Sequence, residues 1–318
     1  MRALSWQAHP RYRDSGGKRF MRQLVYVFAV IVQGTAWGAQ FAMLKLAAEG
    51  GYGELTVLVI AMLLVSASYA VILLVRRSHF RLTPKAIEFF AITGLLGYAL
   101  PLAAVLHAAP HLPAGVITLI VCFTPMVSIV VALLARTERV SRTRLVAVAL
   151  GMAAAVMVLA PQLSLPGMGV LEWMLLVGFV PLCYGIESIY VDRRWPEGFD
   201  IWQVGFGEAA AALILVAPLL IVVGEPWPGL AWTTAEIGIL LFSLIGLVEI
   251  IIYFWLINRT GGVLVNFSVF AALFAGIAWG IVIFGERHDM LVWGAAAVLL
   301  AAMALLSRET VREARATD

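Results

Sequence analysis

The first half of this 318-residue chain recurs in its second half at an offset of 147 residues: Trp37-Gly38 falls on Tyr184-Gly185, Gly115 on Gly262 and Phe123 on Phe270. Glu138-Arg139 falls one residue short of Glu286-Arg287. Each half holds five apolar stretches long enough to cross a bilayer, which takes roughly 17–25 helical residues. They run over 24–44, 56–75, 86–107, 114–135, 143–161, 169–191, 201–223, 236–257, 262–284 and 290–307. Five is odd, so the second copy enters the membrane from the opposite side. The expected fold is all-α and integral to the membrane, ten transmembrane helices arranged as two inverted five-helix repeats. The repeats span 24–161 and 169–307, preceded by a basic arm at 1–23 and followed by a tail at 308–318.

Composition leaves little room for anything else. Hydrophobic residues make up 62% of the chain and charged residues 13%, against about 25% charged in soluble domains. No segment remains for a separate soluble domain. A barrel is excluded because no alternating pattern is present, so helices must satisfy the backbone within the bilayer. The Lys and Arg residues fix the expected orientation. With the N-terminus in the cytoplasm, the arm, the loops at 76–85 and 136–144, Arg193, Arg194, Arg259, Arg308, Arg312 and Arg315 place all but two of the 22 cations inside. Lys45 and Arg287 are the exceptions. This positive-inside distribution predicts a multi-pass protein of the inner (plasma) membrane with both termini cytoplasmic. The net charge of +3 is topological and does not point to nucleic acid. Residues 1–20 are too polar and basic for an efficient signal peptide, and Met21 is an alternative start. Cys122 and Cys183 lie in apolar stretches and read as buried, reduced thiols.

Several stretches are interrupted. Gly34 and Gly38 are spaced for close helix approach, while Gly94, Gly97 and Pro101, then Pro125, then Gly178, Pro181 and Gly185 predict kinks. The loop at 224–235 carries Pro226, Trp227, Pro228 and Trp232 and reads as an interfacial anchor. Small-residue faces at 143–161 and 290–307 would allow a homodimer.

The run Trp37-Gly38-Ala39-Gln40-Phe41 with Lys45 resembles the first-helix signature of EamA-type transporters, in the drug/metabolite transporter superfamily. Leu112-Pro113-Ala114-Gly115, Phe123-Thr124-Pro125 and Glu138-Arg139 resemble the end of an EamA repeat, as do Gly285-Glu286-Arg287 and Gly294. Ala272 stands where the first repeat has Pro125, and the Pro and Arg usual near the start of the second helix are missing from 50–65. The resemblance covers about 24–307 and implies ten helices around a central cavity that moves small organic solutes, often outward. It does not identify the solute.

No phosphate-binding loop of the G-x-x-x-x-G-K-[ST] type is present, so ATP is not the expected energy source. No H-E-x-x-H or Cys-x-x-Cys pattern occurs, and His107 and His111 lack a third ligand. Neither enzymatic activity nor a cofactor is expected. Glu286, Arg287, His288 and Asp289 read as a solvated, self-paired turn. Carboxylates inside the membrane are different, since each costs about 2.5–3.5 kcal/mol to insert at a helix centre. Glu187, Glu208 and Glu249 lie ~6, ~10 and ~12 Å from the cytoplasmic ends of three consecutive segments, at ~1.5 Å rise per residue. Glu208 and Glu249 are the candidate proton-coupling groups. Glu187 aligns with Gln40 across the repeat. With Trp37, Tyr98, Phe123, Tyr184, Tyr253, Asn266, Phe267 and Trp279 they are the candidates to line a cavity for an amphipathic or cationic solute. The function these features imply is secondary, proton-linked export of a small organic or amino-acid-like solute across the bilayer by alternating access. An uptake permease of the same fold and a non-transporting scaffold are the alternatives.

Overall fold

The computed structural model describes residues 16–78, 80–134, 141–163, 170–225, 232–260 and 268–317. Glu138, Arg139, Asn266, Phe267 and the stretch 226–231 lie outside the described residues. Among those described, every regular element is helical: α1 Gly16–Ala48, α2 Glu54–Val75, α3 Pro84–Thr93, a π-helical turn Gly94–Ala99, α4 Leu100–Ala108, α5 Ala114–Val121, α6 Thr124–Leu134, α7 Arg142–Leu163, α8 Leu171–Arg194, α9 Ile201–Val223, α10 Thr234–Thr260, α11 Ser268–Phe284 and α12 Met290–Thr317.

Among the described residues, seven stretches are long and apolar enough to span a membrane: Leu24–Ala48, Glu54–Val75, Pro84–Ala108, Ala114–Val131, Leu171–Val191, Ile201–Val223 and Thr234–Tyr253. Leu145–Met157, Ser268–Phe284 and Met290–Leu305 are shorter apolar helices.

The 147-residue offset reappears in the backbone. α2 begins at Glu54 and α9 at Ile201. The turn before each holds a glycine in the left-handed region, Gly51 at φ 84° and Gly198 at φ 82°. The residue ending each helix's following turn repeats the pattern, Arg77 at φ 51° and Gly224 at φ 70°. Glycine takes this conformation freely; Arg77 takes it without that freedom. Packing follows the same rule. α1 packs against α10 and α11, and α8 packs against the α3–α4 and α5–α6 units. α2 pairs with α9, α5 with α11, and α7 with α12. Exchanging the halves maps each of these pairings onto another or onto itself.

Proline and glycine set the breaks. Pro101 has no N–H for the carbonyl of residue 97 and its ring crowds that carbonyl. The helix widens just before it, and the Leu100 N–H reaches back five residues to the Leu95 carbonyl. Ahead of Pro125, α5 stops at Val121 and α6 restarts at Thr124, whose hydroxyl donates to the Val121 carbonyl at 2.7 Å. Gly34 and Gly38 bring α1 against α11 so closely that a Cβ would lie 2.1 Å from the Ser268 carbonyl oxygen and 2.2 Å from that of Ala272. Cys122 and Cys183 are free and buried.

Candidate functional site

α2, the π turn, α10 and the middle of α1 enclose a cavity of about 60 Å³ lined by Gln40, Val65, Ser68, Tyr69, Tyr98, Phe242, Ser243, Gly246, Leu247, Glu249 and Ile250. No Lys, Arg or His is among these residues. The widened turn carries Tyr98, whose hydroxyl meets that of Tyr69. Tyr69 lies against α9 where Gly205 leaves room for its ring; a Cβ there would sit 2.6 Å from Tyr69 Cζ. Gly246 does the same for Gln40, whose Oε1 would stand 3.1 Å from a Cβ at that position.

Glu249 is held by a residue that the sequence reading did not select. The Gln33 side chain is 2% exposed, and its Nε2 donates to Glu249 Oε1. Its own Oε1 is buried without a hydrogen-bond partner. A side-chain amide carries a donor and an acceptor on one carbon. By rotating, Gln33 can donate to a carboxylate or accept from a carboxylic acid. Gln33 and Gln40 are seven residues apart, which places both on one helix face; that spacing is the signal that could have found Gln33.

The other two acids lie nearby. Glu208 on α9 meets the hydroxyl of Thr93 and is within electrostatic reach of Glu187 on α8. The Glu187 carboxyl comes within 4 Å of where a Cβ on Gly97 of the π turn would be. Tyr184 and Tyr253 are each within electrostatic reach of Glu187 and Glu249. Of the expected residues, Gln40, Tyr98 and Glu249 line the cavity, with Ser68, Tyr69 and Ser243 added; Gln33 holds Glu249, and Tyr184, Glu187, Glu208, Tyr253 and Thr93 lie nearby without lining it. Trp37 and Phe123 are part of the main hydrophobic cluster and do not line the cavity. Trp279 faces elsewhere. It lines an open apolar groove of about 1240 Å³ between α1, α11 and α12, with Phe270, Phe274 and Val282. Depth along a helix does not fix which way a side chain points, and α11 is apolar on every side.

The turn at 285–289 departs from the solvated hairpin expected of it. The Glu286 side chain is 7% exposed and that of His288 1%. Glu286 Oε1 accepts from Ala114 N at 2.6 Å and from Lys45 Nζ at 3.1 Å, and Oε2 accepts from Gly115 N at 3.2 Å. Lys45 also donates to the Leu112 carbonyl at 2.8 Å. His288 Nε2 approaches Glu286 Oε2 to 3.5 Å. Burial holds the His288 pKa below its ordinary 6.5; Glu286 opposes that shift and Lys45 adds to it. The physical reason for the departure is that the N-terminus of α5 offers unpaired N–H groups to an acceptor, and the carboxylate of Glu286 reaches them. His107 and His111 have separate partners: His107 Nδ1 lies 2.7 Å from Glu54, and His111 stacks on Trp173 at 4.0 Å.

Residues 24–160 match the EamA-like transporter family. A solved structure described as "Crystal structure of protein" shares the fold: it is 18% identical with a TM-score of 0.59, covering 87% of this chain and 97% of that one. No curated protein matches the chain.

Proposed function

We propose that this chain, whose residues 24–160 match the EamA-like transporter family, is a multi-pass membrane protein that exports a small cationic or zwitterionic organic solute in exchange for protons. Ten helices in two inverted repeats would rock around a midplane site, with both termini in the cytoplasm. The repeated left-handed turns and the exchange symmetry of the helix pairings support the two-repeat reading.

The observation that carries the proposal is Glu249, a carboxylate between the halves in a cavity whose described lining has no cationic side chain. A buried carboxylate without a counter-charge is stable either protonated or beside a cation. A proton and an ammonium group therefore compete for the same place, and the tyrosine rings offer π faces to a cation. The competition makes exchange obligatory, because the site carries one partner or the other across. Glu208, with Thr93 and Glu187 beside it, is a second station for the proton. The cavity has the volume of about two water molecules, against roughly 300–1,000 Å³ for sites that hold organic ligands. Solute entry therefore requires the halves to part.

The test is flux in proteoliposomes. Glu249→Gln mimics the protonated acid permanently, so proton-driven accumulation should be abolished. A variant that keeps wild-type proton-driven accumulation of the solute would show Glu249 to be only a structural acid. Candidate solutes come from a screen of metabolite efflux in cells with and without the protein, with amines and amino acids expected ahead of organic anions.

A further inference from the structure

We infer that Glu225 and Glu286, with Lys45, form the latch that closes the extracytoplasmic side of the solute pathway, an assignment that rests on the alternating-access reading above. Both carboxylates come from loops of the second half, and each caps the N-terminus of a first-half helix. Glu286 takes the N–H groups of Ala114 and Gly115 at the start of α5. Glu225 takes those of Leu55 at 3.3 Å and Thr56 at 2.9 Å at the start of α2, and the Thr56 hydroxyl at 2.9 Å. Lys45, at the end of α1, is 9% exposed in its side chain and bridges Glu286 to the Leu112 carbonyl.

The backbone is shaped to admit these groups. A Cβ at Gly280 would lie 2.2 Å from Glu286 Oε2, one at Gly53 2.1 Å from Glu225 Oε2, and one at Gly115 2.7 Å from His288 Nε2. Gly53 and Gly280, one in each half, thus make the slots in which the two latch carboxylates sit, and Gly115 admits His288 beside them. All these contacts lie at the end of the bundle that the charge distribution assigns to the outside. A solute leaving the Glu249 cavity for that side must pass between the halves that they join.

The chemistry suits a contact that opens and closes repeatedly. Capping bonds to a carboxylate are charge-assisted and directional, so they hold one geometry when water is excluded. On separation the carboxylates, the ammonium group and the helix-end N–H groups are all taken up by water. A hydrophobic seal of the same area would expose apolar surface instead.

The experiment reads accessibility from the outside. Ser243 lines the cavity and is 5% exposed. Ser243→Cys, in a background with Cys122 and Cys183 replaced by alanine, is labelled with a membrane-impermeant maleimide in right-side-out vesicles. Glu286→Gln should raise the labelling rate about tenfold, since loss of a charge-assisted bond shifts such an equilibrium by that order. Glu225→Gln, at a different helix end, should raise it as well, and the two together should exceed either. Unchanged labelling in both variants overturns the latch. If Glu286→Gln also makes a lone Cys122 reactive, that variant has loosened the core, and the Glu225→Gln result decides in either direction. Labelling needs no solute. Altered labelling in a chain that shows no flux therefore sinks the transport reading alone, and unaltered labelling in a chain with proton-driven flux sinks the latch alone.

Discussion

Two corners of the molecule occupy equivalent places in the repeat and are built from opposite chemistries. At one, the end of α1 meets the starts of α2 and α10. There Tyr52 donates to Glu236, Glu225 caps α2, and Gly50 lies so close to α10 that a Cβ would be 2.2 Å from Ala235 N. At the other, the end of α8 meets the starts of α9 and α3. Phe80 packs on Phe90 at 5.7 Å, on Phe199 at 5.5 Å and on Phe206 at 5.2 Å, and Phe89 stacks on Tyr190 at 5.8 Å. Tyr52 and Phe199 are the same position of the repeat. The shared backbone thus does not dictate how a corner is held. A polar corner loses little when water enters, whereas an aromatic one resists water. On the proposed alternating-access reading, the two ends of the pathway therefore open with different energetic costs.

The largest effect expected from breaking this contrast is at the aromatic corner. Phe90 is 4% exposed, and Phe90→Ala should cost about 3–5 kcal/mol, read as a fall in melting temperature of the detergent-solubilised protein. Next comes the pair of equivalent positions 50 and 197. Gly50→Ala forces a methyl group against the α10 backbone and should cost about 2–3 kcal/mol. Glu197→Ala, on an exposed residue of the aromatic corner, should change stability by less than about 0.5 kcal/mol. Equal effects at the two sites would mean the corners are packed alike. Tyr52→Phe removes one hydrogen bond to a carboxylate and should cost about 1.5 kcal/mol, with no change in the response of the aromatic corner.

The smallest effect is pH dependence at the latch. The titrating group is His288, whose described charged neighbours are Glu286 in the same turn and Lys45 on α1; the positive end of α5 also faces it. Because burial depresses the His288 pKa below 6.5, the closed arrangement disfavours an imidazolium that the hydrated, open arrangement accepts. Closure is therefore strongest above pH 6.5 and weakens as the pH falls from there towards the depressed value. Labelling of Ser243→Cys from outside should rise a few-fold with acidification across that range, and His288→Gln should flatten the profile.

Much of this was legible in the sequence, and what was not has a common cause. Apolar runs of membrane length, the 147-residue offset and three carboxylates in apolar surroundings are local patterns, and they lead to the helices, to Glu249 at the cavity and to Glu208 and Glu187 near it. Gln33 was overlooked because an amide is cheaper to bury than a charge and stands out less, although its seven-residue spacing to Gln40 marks the same face. The burial of Glu286 was not legible, because it depends on Lys45 and on the N–H groups of α5, far away in sequence. Four consecutive charged or titratable residues look like a solvated turn until those partners are known. Pro101 announced an irregularity, but whether the helix would kink or widen depended on α9. The Gly94 Cα lies so near that a Cβ would be 2.7 Å from the Glu208 carbonyl oxygen.

The π turn also bears on how the two halves differ. A turn closed over five residues instead of four takes up one extra residue, and α10, the counterpart of the α3–α4 unit, runs from Thr234 to Thr260 without such a turn. The offset is nonetheless 147 on both sides of it, from Trp37 and Tyr184 to Gly115 and Gly262, so the first copy winds this helix more widely without a net gain in chain length. In a plain helix each residue advances by about 100° around the axis, so winding these residues more widely changes which neighbour each side chain meets. Deleting Leu96 should restore a plain helix, still able to insert and pack, in which Tyr98 no longer shares its hydroxyl contact with Tyr69. Loss of that contact would show the winding of the turn, as much as the identity of Tyr98, to be what brings the hydroxyl to the cavity.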